Sequence, residues 1–316
     1  YTEVDTLSLH DALPISISSR VLVLRHGKLV GEVATRDTDR HQLATLMVGA
    51  EITAPAPAEA RPGAVLMRLD RVSTQPRGNR PGLDAVDLDI KAGQILGLAG
   101  VSGNGQGALA DLISGLDAPA SGTLEIAGHP VSGWNPRSAL HSGIGRIPED
   151  RHRTGTVADF TLTENAVLES YRDAPNARAG WMDWSAARGK TEAIIAKYDV
   201  RCPGPEARIR LLSGGNMQKL ILGRVLEAAP RIILANQPVR GLDIGAVTYV
   251  QEQLIAARDA GAAVLLISED LDEILTLSDV IRVISDGRLS PEFARGEKTP
   301  AELGQWMAGQ GFDHAA

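Results

Sequence analysis

The sequence predicts an α/β fold in which a parallel sheet is flanked by helices, with a separate antiparallel β layer and a helical region. Three nearly continuous apolar runs, 94–99, 231–235 and 263–267, are typical of strands buried on both faces of a parallel sheet. A helical pattern around 247–258 separates the last two runs. Strands that alternate with helices in this way imply a parallel α/β core.

The first 16 residues have no hydrophobic period and match neither a secretory nor a transit signal. Their segment SLHDALPIS is similar to translated sequencing-adapter sequence. We therefore expect residues 1–16 to be a non-native leader and exclude them from the fold prediction. The alternative is a native terminus that frays.

The two ends of the chain contain similar sequences, which indicates an internal repeat. Residues 21–29, VLVLRHGKL, are similar to residues 281–289, IRVISDGRL, and the same offset of 260 pairs Leu43 with Leu303 and Gly49 with Gly309. Each copy predicts a strand, a glycine turn, a short strand and a helix. Residues 17–50 are therefore predicted to be the tail of a preceding domain of the same kind, and the natural polypeptide is expected to extend further at its amino end.

A Pro/Ala-rich linker is predicted at 51–63, since this segment has too few large apolar groups to pack. One domain then spans 64–310. Alternating apolar residues at 65–72 and 83–90 predict its antiparallel β layer. The region at about 150–225 is predicted to be helical, with a Thr161/Glu164 capping box for a helix through Leu168 and Ser185 capping a helix through Tyr198.

Composition excludes several classes of protein. The formal net charge of −7 argues against a general nucleic-acid binder, which would need a basic face. Apolar runs stay shorter than the 18 residues or so that span a bilayer. The single cysteine, Cys202, excludes an internal disulfide, and the histidines lack zinc-ligand spacing. No metal site is predicted from this chain's own residues.

A glycine-rich loop follows the first apolar run and precedes a helix, the setting in which backbone amides face a phosphate. Gly100 and Gly105 have the spacing of a phosphate loop, but Gln106 stands where lysine is expected and Gly107 where a hydroxyl would hold Mg²⁺. The alternative is a glycine-rich turn without a ligand. The candidate nucleotide-binding residues of this loop are Gly100, Gly103, Asn104, Gly105, Gln106 and Gly107.

A second motif, LLSGGNMQK at 211–219, precedes an amphipathic helix. Ser213 is the predicted N-cap, and Gly214 and Gly215 would let backbone amides approach a phosphate closely. Gln218 is a further candidate binding residue. An ordinary capped helix explains the serine but not the glycine pair.

Polar residues follow the other two apolar runs. Asn236 and Gln237 come after the second run, with Asp243 further along, and Glu269 follows the third run. Ligands of open α/β folds bind at the carboxyl edge of the parallel sheet. We therefore expect these residues and the predicted helix cap at Ser213 to converge near the glycine loop.

The order of these motifs resembles the second nucleotide-binding half of ABC transporter ATPases that carry two halves in one polypeptide. The GNGQ loop, the PEDRHR run at 148–153 and the NQP run are similar to importers for nucleosides and simple sugars. The resemblance covers roughly 64–310. It implies a RecA-like P-loop NTPase core with an antiparallel β subdomain and a helical subdomain, and ATP with Mg²⁺ as ligands.

Carried over residue by residue, the resemblance marks a degenerate site. Gln106 occupies the phosphate-loop lysine position, Gly107 the hydroxyl position and Asn236 the Walker B aspartate position. Gln237 replaces the catalytic glutamate and Glu269 the switch histidine, and no aromatic residue stands where adenine would stack. Replacing a general base by its amide removes about 10²–10⁴ in rate, so hydrolysis here is expected to be slow. Whether this half alone is an enzyme stays open.

The resemblance implies that the intact signature, Ser213, Gly214 and Gly215 with Asp243, completes a site for ATP and Mg²⁺ held by the preceding half. The expected function is the C-terminal ATP-binding half of a sugar or nucleoside importer subunit, peripheral on the cytoplasmic face of the plasma membrane. Expected partners are the preceding half, transmembrane permease subunits and, indirectly, an extracytoplasmic solute-binding protein, but no nucleic acid. The alternatives are a self-sufficient ABC ATPase homodimer and a soluble regulatory ABC protein without a transport role.

Overall fold

A computed structural model describes residues 18–25, 27–49 and 57–312. The described residues form two compact units. The first contains those of 18–49 together with 239–252, and the second contains 57–238 and 253–312. The predicted leader and residues 51–56 of the predicted linker lie outside the described residues.

The first unit begins with an antiparallel hairpin, β1 (Arg20–Arg25) and β2 (Lys28–Ala34), followed by a 3-10 turn and helix α1 (Arg40–Val48). Asp39 caps this helix by accepting a hydrogen bond from the Gln42 amide at 2.8 Å. Gly49 ends the helix with a left-handed φ of 84°.

The second unit opens with an antiparallel sheet in the order β4–β3–β6–β7. Its strands are β3 (Val65–Ser73), β4 (Val86–Lys91), β6 (Ser121–Ile126) and β7 (His129–Pro130). The two expected β segments are confirmed. The second is expected to begin at residue 83 but begins at Val86, because Ala85 adopts a left-handed φ of 47° that interrupts the strand.

A seven-stranded sheet forms the core of the second unit, in the order β14–β13–β5–β12–β11–β8 with β15 beside β13. Five of these strands run parallel, which confirms the predicted fold class. All residues of the β5, β11 and β12 runs are buried. The strands are β5 (Ile95–Ala99), β8 (Ile144–Ile147), β11 (Ile232–Asn236), β12 (Ala263–Ser268), β13 (Val280–Ser285), β14 (Arg288–Leu289) and β15 (Phe293–Ala294).

Helices alternate with these strands along the chain and make up most of the middle region. They are α2 (Gln106–Ile113), α3 (Pro136–His141), α4 (Leu162–Ala166), α5 (Trp184–Lys197), α6 (Gly214–Leu226), α7 (Ile244–Asp259), α8 (Leu271–Leu277) and α9 (Pro300–Met307). Helix α2 packs on β11, and α8 packs on β5 and β12. None of the helices in the described ranges is both long and apolar enough to cross a membrane.

The middle region is helical as expected, with one addition. Between α4 and α5 the chain forms a short hairpin, β9 (Ala177–Arg178) and β10 (Trp181–Met182). The Thr161/Glu164 capping box of α4 is present, but the helix ends at Ala166 and not at Leu168. The prediction that Ser185 caps α5 is wrong, because the side chain of Asp183 accepts the hydrogen bond from the Ala186 amide at 3.0 Å.

The carboxyl end of the predicted linker is attached to the second unit. The carbonyl of Ala58 accepts a hydrogen bond from Arg258 Nη1 at 3.1 Å, and the carbonyl of Pro57 accepts one from Arg295. Arg258 is itself 2% exposed and paired with Asp279 at 2.8 Å. Composition predicts that this segment does not pack, but arginines from the folded unit bind its backbone.

Both copies of the sequence repeat have the predicted order of elements. Strand, turn, strand and helix at 20–48 correspond to β13, β14 and α9. The paired turn glycines, Gly27 and Gly287, have φ values of 74° and 76°. The paired helix-ending glycines, Gly49 and Gly309, have φ values of 84° and 87°.

Candidate functional site

The glycine loop joins the buried strand β5 to the start of α2. Gly103 and Gly105 adopt φ values of 89° and 115°, conformations that other residues rarely occupy. The carbonyl of Asn104 accepts a hydrogen bond from the Gly287 amide at 2.9 Å, which ties the loop to the β13–β14 turn. The loop is therefore held in place by the core of the second unit.

Gln106 uses both ends of its side-chain amide inside this loop. Its Nε2 donates to the carbonyl oxygen of Val101 at 2.8 Å, and its Oε1 accepts from the Asn104 amide at 3.0 Å. The side chain is 9% exposed. A Cβ at Gly100 would lie 2.5 Å from Gln106 Nε2, so this glycine makes room for the glutamine.

The strand ends and the glycine loop share one cleft of about 160 Å³. The structure thus brings together seven of the predicted site residues, whereas Gly100 and Asn104 belong to the loop without lining the cleft. The seven are Gly103, Gly105, Gln106, Gly107, Asn236, Gln237 and Glu269.

Asn236 and Gln237 lie at the carboxyl end of strand β11. Asn236, the last residue of the strand, is 7% exposed. The amide of Gln237 donates to the carbonyl of Ile267 at 2.8 Å, and its φ of 50° is left-handed. A left-handed non-glycine residue is strained and is common at functional sites, so the fold holds Gln237 in a defined orientation.

The cleft lining carries a formal charge of −1, because its charged residues are one arginine, Arg80, and two glutamates, Glu149 and Glu269. Sequence reasoning missed Arg80 and Pro81 as lining residues. Both come from the loop between β3 and β4, and no motif marks them. A polyanionic triphosphate gains little from such a lining.

The lining does not fit a magnesium-bound triphosphate. The amide of Gln106 is already hydrogen-bonded within the loop, and Gly107 has no hydroxyl that could reach a metal ion. Across the described ranges, no group of three or more His, Cys, Asp or Glu residues is close enough to hold a metal ion.

The buried carboxyl group of Glu273 lies next to the turn that carries Glu269. Glu273 is 4% exposed, and its Oε2 accepts a hydrogen bond from Ser268 Oγ at 2.6 Å. Ser268 Oγ also accepts one from the Asp270 amide at 3.1 Å. Burial raises the pKa of Glu273 to about 7. The turn that carries Glu269 therefore rests on a carboxyl group that titrates near neutral pH.

The signature residues form the exposed start of α6 and do not line the cleft, so the expected convergence of this helix cap with the strand ends is wrong. Ser213 is the N-cap, and its Oγ accepts a hydrogen bond from Asn216 Nδ2 at 2.9 Å. Gly214 and Gly215 are half-buried. A capped helix start with two glycines offers backbone N–H groups to an anion.

Two other predicted binding residues are placed differently. Gln218 is 2% exposed and donates from Nε2 to the carbonyl of Pro238 at 2.8 Å, so its side chain is not available at the start of α6. Asp243 belongs to the first unit, where its Oδ1 accepts from the Ala246 amide at 3.0 Å and caps α7.

Comparison with known proteins decides the family. The profile of the family described as ABC transporter matches residues 83–240. The chain belongs to the ABC transporter family of ATP-binding domains. It is 42% identical to the guanosine import ATP-binding protein NupO of Bacillus subtilis over 93% of this chain and 58% of that protein. It is 36% identical to a ribose import ATP-binding protein of Rubrobacter xylanophilus over 90% of this chain and 56% of that protein.

The chain therefore spans a little over half the length of the curated relatives that it matches. Solved ABC cassettes share its fold. A nucleotide-free ATP-binding cassette from an ABC transporter aligns with a TM-score of 0.63 at 19% identity, covering 79% of this chain and 97% of that one. A dimeric cassette in a post-hydrolysis state with ADP and Pi aligns at 0.62 and 22% identity, covering 72% and 98%.

Proposed function

We propose that this chain is the C-terminal ATP-binding half of the energising subunit of an importer for sugars or nucleosides. Its own cleft does not turn over ATP, and its signature closes over a nucleotide that the preceding half binds. The observation that carries the proposal is the self-closed glycine loop, in which the Gln106 amide bonds to Val101 and Asn104.

The charge and chemistry of the cleft support the first part of this proposal. Asn236 and Gln237 have amide side chains at positions where metal binding and general-base catalysis would need carboxylates. The lining also has a formal charge of −1, from Arg80, Glu149 and Glu269. Loss of a general base alone slows catalysis by about 10²–10⁴. Hydrolysis at this cleft would be negligible beside that of an intact site.

The signature supports the second part. Ser213 caps a 13-residue helix whose first two residues are glycines, and the backbone amides there lie at the positive end of the helix dipole. In this arrangement the chain's own groups would bind and orient a phosphate presented from outside the domain. ATP and Mg²⁺ would be held mainly by the preceding half, with no metal ligand from this one.

The existence of a preceding half is supported by the repeat and by the relatives. The strand, turn, strand and helix at 20–48 match the tail of the second unit in order and in turn geometry. The matched relatives are nearly twice as long as the aligned part. Residues 17–50 would then be the tail of that half.

The relatives' names support the proposed substrate class, since they are a guanosine import and a ribose import ATP-binding protein. We extend this to a sugar or nucleoside solute. The partners would be transmembrane permease subunits, with a solute-binding protein acting through them. The chain would then lie at the cytoplasmic face of the plasma membrane.

Two substitutions in the two-half polypeptide, assayed with its permease in vesicles, test the proposal. Ser213→Arg places bulk and charge on the signature and should abolish ATP hydrolysis, whereas Gln237→Ala in the cleft should leave the rate within about twofold. Ser185→Arg, the same change at an exposed serine near the start of α5, is the control. A rate that falls with Gln237→Ala but not with Ser213→Arg would overturn the proposal.

The two alternatives predict other outcomes. A self-sufficient homodimer predicts sustained Mg²⁺-ATP turnover by this chain alone, lost on changing Gln237. A regulatory protein without a transport role predicts recovery with ribosomes or other soluble assemblies and no co-purification with a permease.

A further inference from the structure

Arg151 lies against the first residue of the signature helix. If Gly214 carried a Cβ, that atom would lie 2.9 Å from Arg151 Nη2, 3.2 Å from Nε and 3.3 Å from Cζ. The guanidinium therefore fills the space that a side chain at Gly214 would occupy. A side chain at this position would have to displace the guanidinium, whereas nothing lies near the corresponding point at Gly107.

The turn that carries Arg151 is locked onto α6 at further points. Residues Arg151–Gly155 form a single π-helical turn, capped by Asp150, whose Oδ1 accepts from the His152 and Arg153 amides at 2.9 Å each. The carbonyl of Gly155 accepts from Arg224 Nη1 at 3.1 Å. Thr156 Oγ1 lies 3.7 Å from Met217 Sδ. The segment 151–156 thus contacts the first and third turns of α6.

We propose that Arg151 is a positioning residue for the signature: by packing on Gly214 it fixes the start of α6 in the orientation that receives the partner half's nucleotide. This inference rests on the proposed function. Arg151 acts through Gly214, with no contact to the nucleotide required. The turn also begins two residues after Glu149, which lines the cleft, so the same segment connects the cleft to the signature.

Hydrogen exchange on this chain tests the positioning step without any nucleotide. Arg151→Ala should speed amide exchange at Met217 and Gln218, the first hydrogen-bonded amides of α6, by about tenfold while the core strands keep their protection. Arg151→Lys should restore only part of the protection, because an ammonium group fills less of the space beside Gly214 than the guanidinium does. Arg153→Ala, an exposed arginine in the same turn, is the control and should change nothing. Unchanged exchange at Met217 and Gln218 in Arg151→Ala would overturn the proposal.

ATP hydrolysis by the two-half polypeptide with its permease tests the functional step. Arg151→Ala should raise the KM for ATP about tenfold with a smaller effect on kcat, and Arg151→Lys should recover part of the loss. Gly214→Ala displaces the flexible guanidinium, so combining it with Arg151→Ala should give less than the sum of the two effects. Faster exchange with an unchanged KM, or full additivity, would overturn the inference. If Ser213→Arg has no effect either, the proposed function itself has failed.

Discussion

The side chain of Gln106 is hydrogen-bonded to the backbone of Asn104 within the same loop, so a side chain of the glycine loop closes that loop. The Asn104 amide donates to Gln106 Oε1 at 3.0 Å, and the opposite end of the side-chain amide donates to Val101. A lysine at this position would reach out to a phosphate. The glutamine instead satisfies polar groups of the loop itself.

This arrangement predicts that Gln106 contributes to stability. Gln106→Ala removes both hydrogen bonds and should lower the free energy of unfolding by about 1–2 kcal/mol. Urea unfolding of this chain measures the change, and Gln75→Ala at an exposed glutamine is the matched control. A loss no larger than that of the control would show that the side chain does not hold the loop.

The buried carboxyl of Glu273 predicts a pH dependence of stability. Its pKa is about 7 in the folded chain against 4.5 for an unperturbed glutamate, so the unfolded chain loses this proton first. Its stabilising contribution is complete below pH 4.5 and is lost as the pH rises through 7. Relative to Glu273→Gln, the free energy of unfolding of the wild type should fall by about 3 kcal/mol over this interval.

Denaturant unfolding at several pH values, with wild type and Glu273→Gln side by side, measures that difference. The exposed Glu192→Gln serves as the control and should follow the wild type at every pH. Parallel curves for wild type and Glu273→Gln between pH 4.5 and 7 would mean that the buried carboxyl is ionised in both states.

Helix α5 offers a direct test of which residue caps it. Asp183→Ala removes the acceptor for the Ala186 amide and should cost about 1 kcal/mol, whereas Ser185→Ala should cost a few tenths at most. Thermal or urea unfolding of the two variants compares them. An equal or larger loss for Ser185→Ala would restore the serine as the cap.

The sequence predicts well those elements that are determined by residues close together in the chain. The buried strands β5, β11 and β12 match their apolar runs to within one residue at each end, because strands covered on both faces need continuous apolar residues. The glycine loop also lies where predicted, between β5 and α2. The capping box at Thr161 follows from two residues only three apart.

Features set by distant contacts are not predictable in this way. Arg80 and Pro81 reach the cleft from the loop between two strands of another sheet, and Arg151 meets Gly214 across more than 60 positions of sequence. The burial of Gln218 depends on the carbonyl of Pro238. The closing of the loop by Gln106 depends on a side-chain rotamer that spacing does not specify.

If the proposed function is right, the signature of this chain binds a phosphate that the preceding half presents, while the chain's own loop binds none. Photolabelling the two-half polypeptide with an ATP analogue that carries a photoreactive group on the γ-phosphate, followed by peptide mapping, distinguishes the two sites. We expect label on residues 213–215 and none on 103–107. Label on 103–107 with 213–215 unmodified would refute the proposed division of roles.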